Sequence, residues 1–456
     1  MMLTDETAIN LVEEPQLDIQ FYREEPRLKP IIPQTKTEVL HVLSLFSGCG
    51  GMDLGFEGGF SVLASSINKD LAQHLIEKEG DDGFIQLKKT KFKTVFANDI
   101  FIDARNAWVN YFSKRGQKAE NFYTDSIVDL VKMYRNGVNV FPKDVDIVTG
   151  GFPCQDFSIA GKRNGFNSHK NHKGKLVENQ AATVETRGQL YMWMKEVIEI
   201  TKPNIFIAEN VKGLVNLSNV KEIIQSDFSS ANDDGYIVLD PQVLHSADYG
   251  VPQSRERVIF IGIKKSALKK NALFVLLQKN IPLKYNPYPQ PTHAYTIKGD
   301  NLKPPVQLKD VFKNLEEPEN TKDLSQKFYS KAKFMGRHCQ GQTEIKLSGI
   351  APTIRSEHHG NIEFRRLSKE NGGKIEDELS IGLTERRLTP RECALIQTFP
   401  PDYDFVIENK YGRKGSFLVS PSQAYKIIGN AVPPLLAYHL AKRIETIWDL
   451  YFKKQL

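Results

Sequence analysis

Asp146-Ile-Val-Thr-Gly-Gly-Phe-Pro-Cys-Gln-Asp-Phe-Ser158 joins a short β-branched apolar run to a loop of two glycines, a phenylalanine and a proline. The run predicts a buried strand ending at Thr149, after which the glycines and proline turn the chain and carry Cys154 beyond the strand's carboxyl end. In an open α/β sheet that edge is where ligands bind. A lone cysteine is more often a small buried hydrophobe. One held on such a loop beside a helix start is better placed to form a reactive thiolate.

Working outward, short apolar runs recur at 39–45, 94–97, 145–149, 205–208 and 258–261, and all but the last lead into helix-like or Gly/Pro-marked sequence. This alternation predicts an α/β fold with a mainly parallel sheet. Several of these runs end in residues suited to chemistry. Leu43-Ser-Leu-Phe-Ser-Gly-Cys-Gly-Gly-Met-Asp-Leu-Gly-Phe56 puts a glycine-rich turn straight after a strand, where backbone N–H groups can approach a ligand at a helix N-terminus. Taken alone, this is no more than a tight turn. Phe96-Ala-Asn-Asp-Ile100 ends the next run with Asp99, placed either for ribose hydroxyls or to cap the following helix. Asn204-Ile-Phe-Ile-Ala-Glu-Asn-Val211 brings Glu209 to a strand end, where a partly desolvated carboxyl can hold a proton or else cap a helix. Pro252-Gln-Ser-Arg-Glu-Arg-Val258 sets Arg255 and Arg257 at alternate positions entering a strand, which predicts one shared face. Such guanidinium forks suit phosphate or a base carbonyl, though surface ion pairs would use the same residues.

The chain has 456 residues, 40% hydrophobic and 25% charged, enough apolar mass for two domains or more. No apolar run reaches the roughly 18 residues that would span a bilayer. The first twenty residues are acidic, with no basic start and apolar stretch of the kind a secretory signal needs. Residues 1–38 are therefore expected to be an extension, dispensable for chemistry up to about residue 34. Four scattered cysteines, Cys49, Cys154, Cys339 and Cys393, make no disulfide framework or zinc site and fit a reducing cytosol. The net charge of +6 permits nucleic-acid binding without establishing it. Between Gly262 and Lys313 lysines far outnumber the two acids, Asp300 and Asp310, which is either a solvated face or a surface for a phosphate backbone. Proline-rich irregular sequence from Lys264 to about Thr384 predicts a second, smaller domain, and helical spacing returns at 390–398 and 434–451.

The order of these segments resembles the DNA (cytosine-5) methyltransferase family of bacterial restriction-modification systems. The resemblance rests on Phe-Ser-Gly-Cys-Gly-Gly, Gly-Phe-Pro-Cys-Gln-Asp-Phe-Ser, Glu-Asn-Val and Gln-Ser-Arg-Glu-Arg. Two later stretches complete it: Arg387-Leu-Thr-Pro-Arg-Glu-Cys-Ala-Leu-Ile-Gln-Thr-Phe-Pro400 and Tyr425-Lys-Ile-Ile-Gly-Asn-Ala-Val-Pro-Pro434. It covers roughly residue 39 to the C-terminus, apart from a variable region and polar insertions near 77–93 and 164–187.

The resemblance implies a Rossmann-like, S-adenosylmethionine-dependent catalytic domain at 39–263. A target-recognition domain would follow at 264–384, with 385–456 returning to the catalytic domain. Cys154 would be the nucleophile, Glu209 the group at cytosine N3, Arg257 the contact to the base oxygen, and Arg255 a contributor to the catalytic pocket or nearby backbone. Phe46, Ser47, Gly48, Gly50, Gly51, Asp99, Ile100 and Asp125 would line the cofactor site, joined by Gly429, Asn430 and Val432. No metal is implied. Cys49, lying in the cofactor turn, would approach the methyl donor's pocket.

The implied partners are double-stranded DNA and a cognate restriction endonuclease, for a monomeric protein in the bacterial cytoplasm with no membrane contact. Residues 351–366 are similar to the variable region of enzymes that read GG(N or W)CC-type sites. Methylation of RNA cytosine is a second enzymatic reading, but the long variable region and complete Pro-Cys-Gln-Asp-Phe-Ser motif favour DNA. A DNA-binding regulator with a vestigial catalytic fold would not need Cys154, Glu209 and Arg257 intact.

Overall fold

A computed structural model describes residues 39–153, 190–216, 220–232, 234–336, 338–356 and 362–453. The extension before residue 39 and the insertion at 164–187 lie outside these described residues.

Eight of the described strands form one sheet. In chain order the strands of the protein begin with β1 (Leu40–Leu45), β2 (Ser61–Leu63), β3 (Ile76–Glu79), β4 (Phe84–Leu87), β5 (Phe92–Asn98) and β6 (Phe122–Tyr123). They continue with β7 (Ile147–Gly150), β8 (Ile205–Val211), β9 (Tyr236–Val238), β10 (Gln242–His245) and β11 (Glu256–Lys264). The large sheet runs β10-β11-β8-β7-β1-β5-β6, with β9 also pairing to β11. β1 lies parallel to both β5 and β7, and β7 is parallel to β8, whereas β11 runs antiparallel to β8. The chain therefore leaves β1 toward β5 on one side and returns to β7 on the other. A crevice opens at such a reversal, beyond the carboxyl ends of the strands.

All five expected strands are present, each a little longer or shifted by a residue or two. They were legible because both faces of the sheet are covered. Val42, Ile147, Ile205, Ile207, Ile259 and Ile261 enter one core with the helices Gly51–Glu57 and Pro434–Tyr451. Leu43, Val148, Phe206, Ala208, Val258 and Phe260 enter the other, with the helices Ile127–Arg135, Leu190–Thr201 and Val220–Ser229. The insertion near 77–93 is built into structure: β3 and β4 make a hairpin whose second strand also pairs with β2.

The start of the basic stretch leaves the sheet at one particular edge. Because β11 descends from Arg257, opposite Val211, to Ile263, opposite Ile205, Lys264 and Lys265 emerge at the amino-terminal edge of the parallel strands. From there Lys269 packs on the end of the last helix through its N–H to Tyr451 O and its Nζ to Asp449 O. Residues Leu268, Ala272, Leu276 and Tyr288 join the sheet's own core. The first part of the 264–384 segment is thus packed at the edge opposite the crevice.

Beyond it, buried ion pairs take over from regular structure. Glu317 bridges Arg366 and Arg386, and Arg386 also forks onto Glu392. Burial alone would raise the Glu317 pKa, but hydrogen bonds from Arg386 and Arg366 hold it at about 2. This network joins the variable region to the capped helix Pro390–Ile396.

Candidate active site

Glu209 lies near the carboxyl end of β8, almost fully buried, and its Oε1 lies 2.6 Å from Nε of Arg257. The antiparallel pairing explains the meeting, since Arg257 stands opposite Val211, two positions beyond Glu209. The other carboxylate oxygen lies over Gly151: a Cβ there would sit 2.8 Å from Glu209 Oε2. Gly150 is confined in the same way, since its Cβ would come 2.9 Å from Met194 Sδ. At both glycines it is the close approach of a side-chain tip, not an unusual dihedral angle, that a larger residue would disturb. Asn210 adds an anchor by donating from Nδ2 to Phe152 O at 3.1 Å. The end of β8 thus grips the first residues of the Gly-Gly-Phe-Pro loop, whose described part stops at Pro153. Cys154 lies outside the described residues.

Cys49 is not placed as expected. It is fully buried, its Sγ donates to Ile427 O, and burial pushes its thiol pKa far up. It packs the glycine turn against the C-terminal segment and does not reach toward the crevice. Cys393 is likewise buried and its pKa raised by desolvation. Cys339 lies part-exposed in the variable region.

The glycine turn opens beside β1. Phe46 takes φ of 52°, a region that costs a bulky side chain, and Gly48 follows at 55°. Gly48 N donates to Asp99 Oδ2 at 3.0 Å, and Phe101 N donates to Oδ1. Pairing of β1 with β5 therefore selects Asp99, among the acids of this stretch, as the one at the turn. Burial raises the Asp99 pKa, against the pull of these two N–H groups. Space over Gly48 is open, with nothing within 4 Å of a built Cβ, and Ile100 beside it is exposed. Asn98 fixes the neighbouring edge by donating to Tyr123 O and Asp125 O at 3.0 and 2.8 Å.

Below the turn, Asp53 is buried and accepts from Ser44, Ser47 and Trp108 Nε1. Sequence reasoning named Ser47 but missed this cluster. The acid two residues after Gly51, on the first helical turn, was the available signal.

The C-terminal segment closes the turn from the other side. A Cβ on Gly51 would stand 2.2 Å from Val432 O, and one on Gly50 2.6 Å from both Phe112 and Trp108. Tyr403 OH donates to Cys49 O at 2.5 Å. Val432 is buried there, whereas Asn430 is exposed at the helix end.

Arg255 departs from the expected shared face with Arg257. It precedes the first residue of β11 and is buried, donating to Ile354 O at 3.2 Å, Gly429 O at 3.0 Å and Ala431 O at 2.8 Å. Its guanidinium thus ties loops together behind the crevice. Only Arg257 accompanies Glu209.

A parallel sheet with a reversal at β1, a glycine turn and an acid after the next strand define a Rossmann-like, S-adenosylmethionine-dependent methyltransferase fold. The sequence model for C-5 cytosine-specific DNA methylases matches residues 80–446. Type II methyltransferase M.BsuRI of Bacillus subtilis is 32% identical over 416 residues, covering 90% of this chain and 80% of that protein. M.BspRI of Lysinibacillus sphaericus is 31% identical over 425 residues, with 92% and 85% covered. Among solved structures, the Entamoeba histolytica methyltransferase EhMeth covers 91% of this chain and 99% of its own, with a TM-score of 0.52 and 14% identity, a likeness of fold. The chain belongs to the C-5 cytosine-specific DNA methylase family, whose methyl donor is S-adenosylmethionine. The open turn at Gly48, the adjoining Asp99 carboxylate and exposed Ile100 suit a nucleoside-bearing donor of that kind.

Among the described residues no helix is long and apolar enough to cross a membrane. Nor, among them, do histidine, cysteine and acidic side chains cluster as metal ligands.

Proposed function

We propose that this DNA (cytosine-5) methyltransferase acts on a cytosine flipped out of double-stranded DNA, through a covalent adduct on Cys154. A stacked, paired cytosine cannot present carbon 6 to a thiolate, so extrusion must precede attack. The observation that carries the reading is the Glu209–Arg257 pair, with the Glu209 carboxylate against Gly151, three residues before Cys154.

Carbon 5 of cytosine is a weak nucleophile. Addition of the Cys154 thiolate to carbon 6 shifts electron density onto carbon 5, which then takes the methyl group. Glu209 hydrogen-bonds or protonates N3, and Arg257 supports the ring oxygen, offsetting negative charge as it develops. A base, which we take to be water, then removes the carbon 5 proton; the C–H electron pair restores the carbon 5–carbon 6 double bond as the carbon–sulfur bond breaks and the thiolate leaves. S-adenosylmethionine supplies the electrophilic methyl when bound. Phe46, Ser47, Gly48, Gly50 and Gly51 would hold it with Asp99, Ile100 and Asp125 on one side and Asn430 and Val432 on the other. Arg255 stands behind this site as a support.

The relatives' designation as type II methyltransferases supports a role as the modification half of a restriction-modification pair with a cognate endonuclease. The protein is taken to act as a monomer. The target-recognition role is assigned to 264–384, with a GG(N or W)CC-like site read around 351–366. Residues 357–361 of that stretch lie outside the described residues.

Bisulfite sequencing of DNA from cells expressing the protein tests this directly. Conversion-resistant cytosines should appear at one position of one short sequence and vanish with Cys154→Ser. Resistance that persists in the variant would refute the covalent route.

A further inference from the structure

Three stretches far apart in sequence meet at Arg255: its own loop at 252–255, the 351–355 segment, and the 429–432 turn. The first two are stitched by backbone bonds. Ala351 N donates to Pro252 O at 2.9 Å and Ser254 N donates to Ala351 O at 2.7 Å, an isolated parallel bridge just before β11. Gln253, wholly buried, accepts from Ile354 N through Oε1 at 3.1 Å. The third stretch presses in from the other side: a Cβ on Gly429 would lie 2.3 Å from the carbonyl carbon of Arg355. The adjoining Val432 carbonyl in turn lies over Gly51 of the glycine turn.

We propose that Arg255 is a positioning residue that holds the target-reading segment and the methyl-donor wall as one unit, so that filling one site favours the other. The inference rests on the functional reading above. A buried guanidinium is costly unless its donors are used. This one donates to carbonyls on both segments, two of them at the C-terminal end of the helix Pro421–Asn430, where a cation is also favoured electrostatically. A planar fork can reach Ile354, Gly429 and Ala431 together, whereas an ammonium on a flexible stem acts as a single point. The path from reading segment to cofactor turn is short and made of packed backbone: Ile354, Arg255, Ala431–Val432, Gly51. A shift of the segment on DNA must therefore displace the cofactor wall or break bonds to Arg255. Coupling of this kind is reciprocal for the two ligands.

The test measures S-adenosylhomocysteine binding to the full chain, with and without a duplex carrying the site mapped by sequencing. In the wild type the duplex should tighten binding by about tenfold, within the usual range for coupled sites. In Arg255→Lys that factor should fall to about twofold or less while affinity without DNA stays within about threefold. A merely structural lesion would lower the melting temperature and weaken both ligands, leaving their ratio intact. Gly429→Ala strikes the same junction from the opposite side and should reproduce the loss.

Hydrogen exchange on the wild type needs no variant. S-adenosylhomocysteine alone should slow exchange at 351–355 as well as around 46–51. Protection confined to the cofactor turn, a wild type without coupling, or a folded variant that keeps it would overturn the proposal. A wild type that transfers no methyl group to DNA would instead overturn the functional reading.

Discussion

Arg257 Nε stands 2.6 Å from Glu209 Oε1, across the antiparallel seam where β11 joins the parallel part of the sheet. Both side chains are nearly buried, so each is the other's close ionic partner. Removing one side of such a pair typically costs about 3–5 kcal/mol, because a buried charge is left uncompensated. The seam therefore fixes the carboxylate while leaving its second oxygen toward Gly151.

Glu209→Gln keeps the shape and loses the charge and the proton. Turnover should fall by roughly 100- to 1,000-fold, the usual effect of removing one transition-state hydrogen-bonding group. Arg257→Ala should lose at least as much activity and also unfold more readily, because it strands Glu209. Single-turnover methyl transfer and thermal melts check both, and an active Glu209→Gln enzyme would remove Glu209 from the chemistry.

Gly151→Ala tests the close approach itself. The new methyl would meet Glu209 Oε2 at 2.8 Å, so the carboxylate or the loop must move. A displacement of about 1 Å at a reacting group can cost about 100-fold in rate. Turnover should drop by that order with little change in DNA affinity, measured by filter binding alongside the kinetics. A variant with unimpaired turnover would mean that the loop and carboxylate separate before chemistry.

Most of this site was legible because strand ends carry it. Apolar runs at 39–45, 94–97 and 205–208 located the sheet, and Asp99 and Glu209 stand where those runs stop. What escaped is what depends on direction and depth. Alternate spacing suggested a shared face for Arg255 and Arg257, but Arg255 precedes the strand and turns into the loop junction. A cysteine within a glycine turn gives no sign that its thiol points inward toward Ile427. The lysine run announced a surface without saying which edge of the sheet it would occupy, since that follows from β11 being antiparallel. Polar residues at 77–93 concealed a hairpin whose buried positions are only Ile76, Ile85 and Leu87.

That geometry changes what the lysines should do. Neutralising Lys264, Lys265, Lys269 and Lys270 together should leave the slope of DNA affinity against salt nearly unchanged, because they emerge at the edge away from the catalytic crevice. Titrations at several salt concentrations decide the point. A slope reduced by about one per lysine would place DNA on that edge.

His439 makes stability depend on pH. Burial, with His293 adding like-charge repulsion, lowers its pKa from 6.5 to about 4 in the folded chain. The unfolded chain therefore binds the proton first as pH falls, so the stabilisation present above about 6.5 is lost progressively down to about 4. The loss should be on the order of a few kcal/mol. Urea unfolding of the wild type and His439→Gln at pH 7.5, 5.5 and 4.5 isolates the effect. The variant should lose less stability on acidification, and parallel losses would exclude His439 as the cause.

The covalent route through Cys154 is the central claim, and fluorine at the reacting carbon tests it most directly. After methyl transfer, release of the thiol requires loss of the hydrogen at carbon 5, and fluorine cannot leave as a cation. A duplex carrying 5-fluorocytosine at the mapped target, incubated with the protein and S-adenosylmethionine, should yield a protein–DNA adduct that survives denaturation. Mass spectrometry of the digest should place the link on Cys154. Cys49 and Cys393 are buried with strongly raised thiol pKa values and should remain unmodified. An adduct on another cysteine, or ordinary methylation of the unfluorinated site with no trapping at the fluorinated one, would contradict the mechanism.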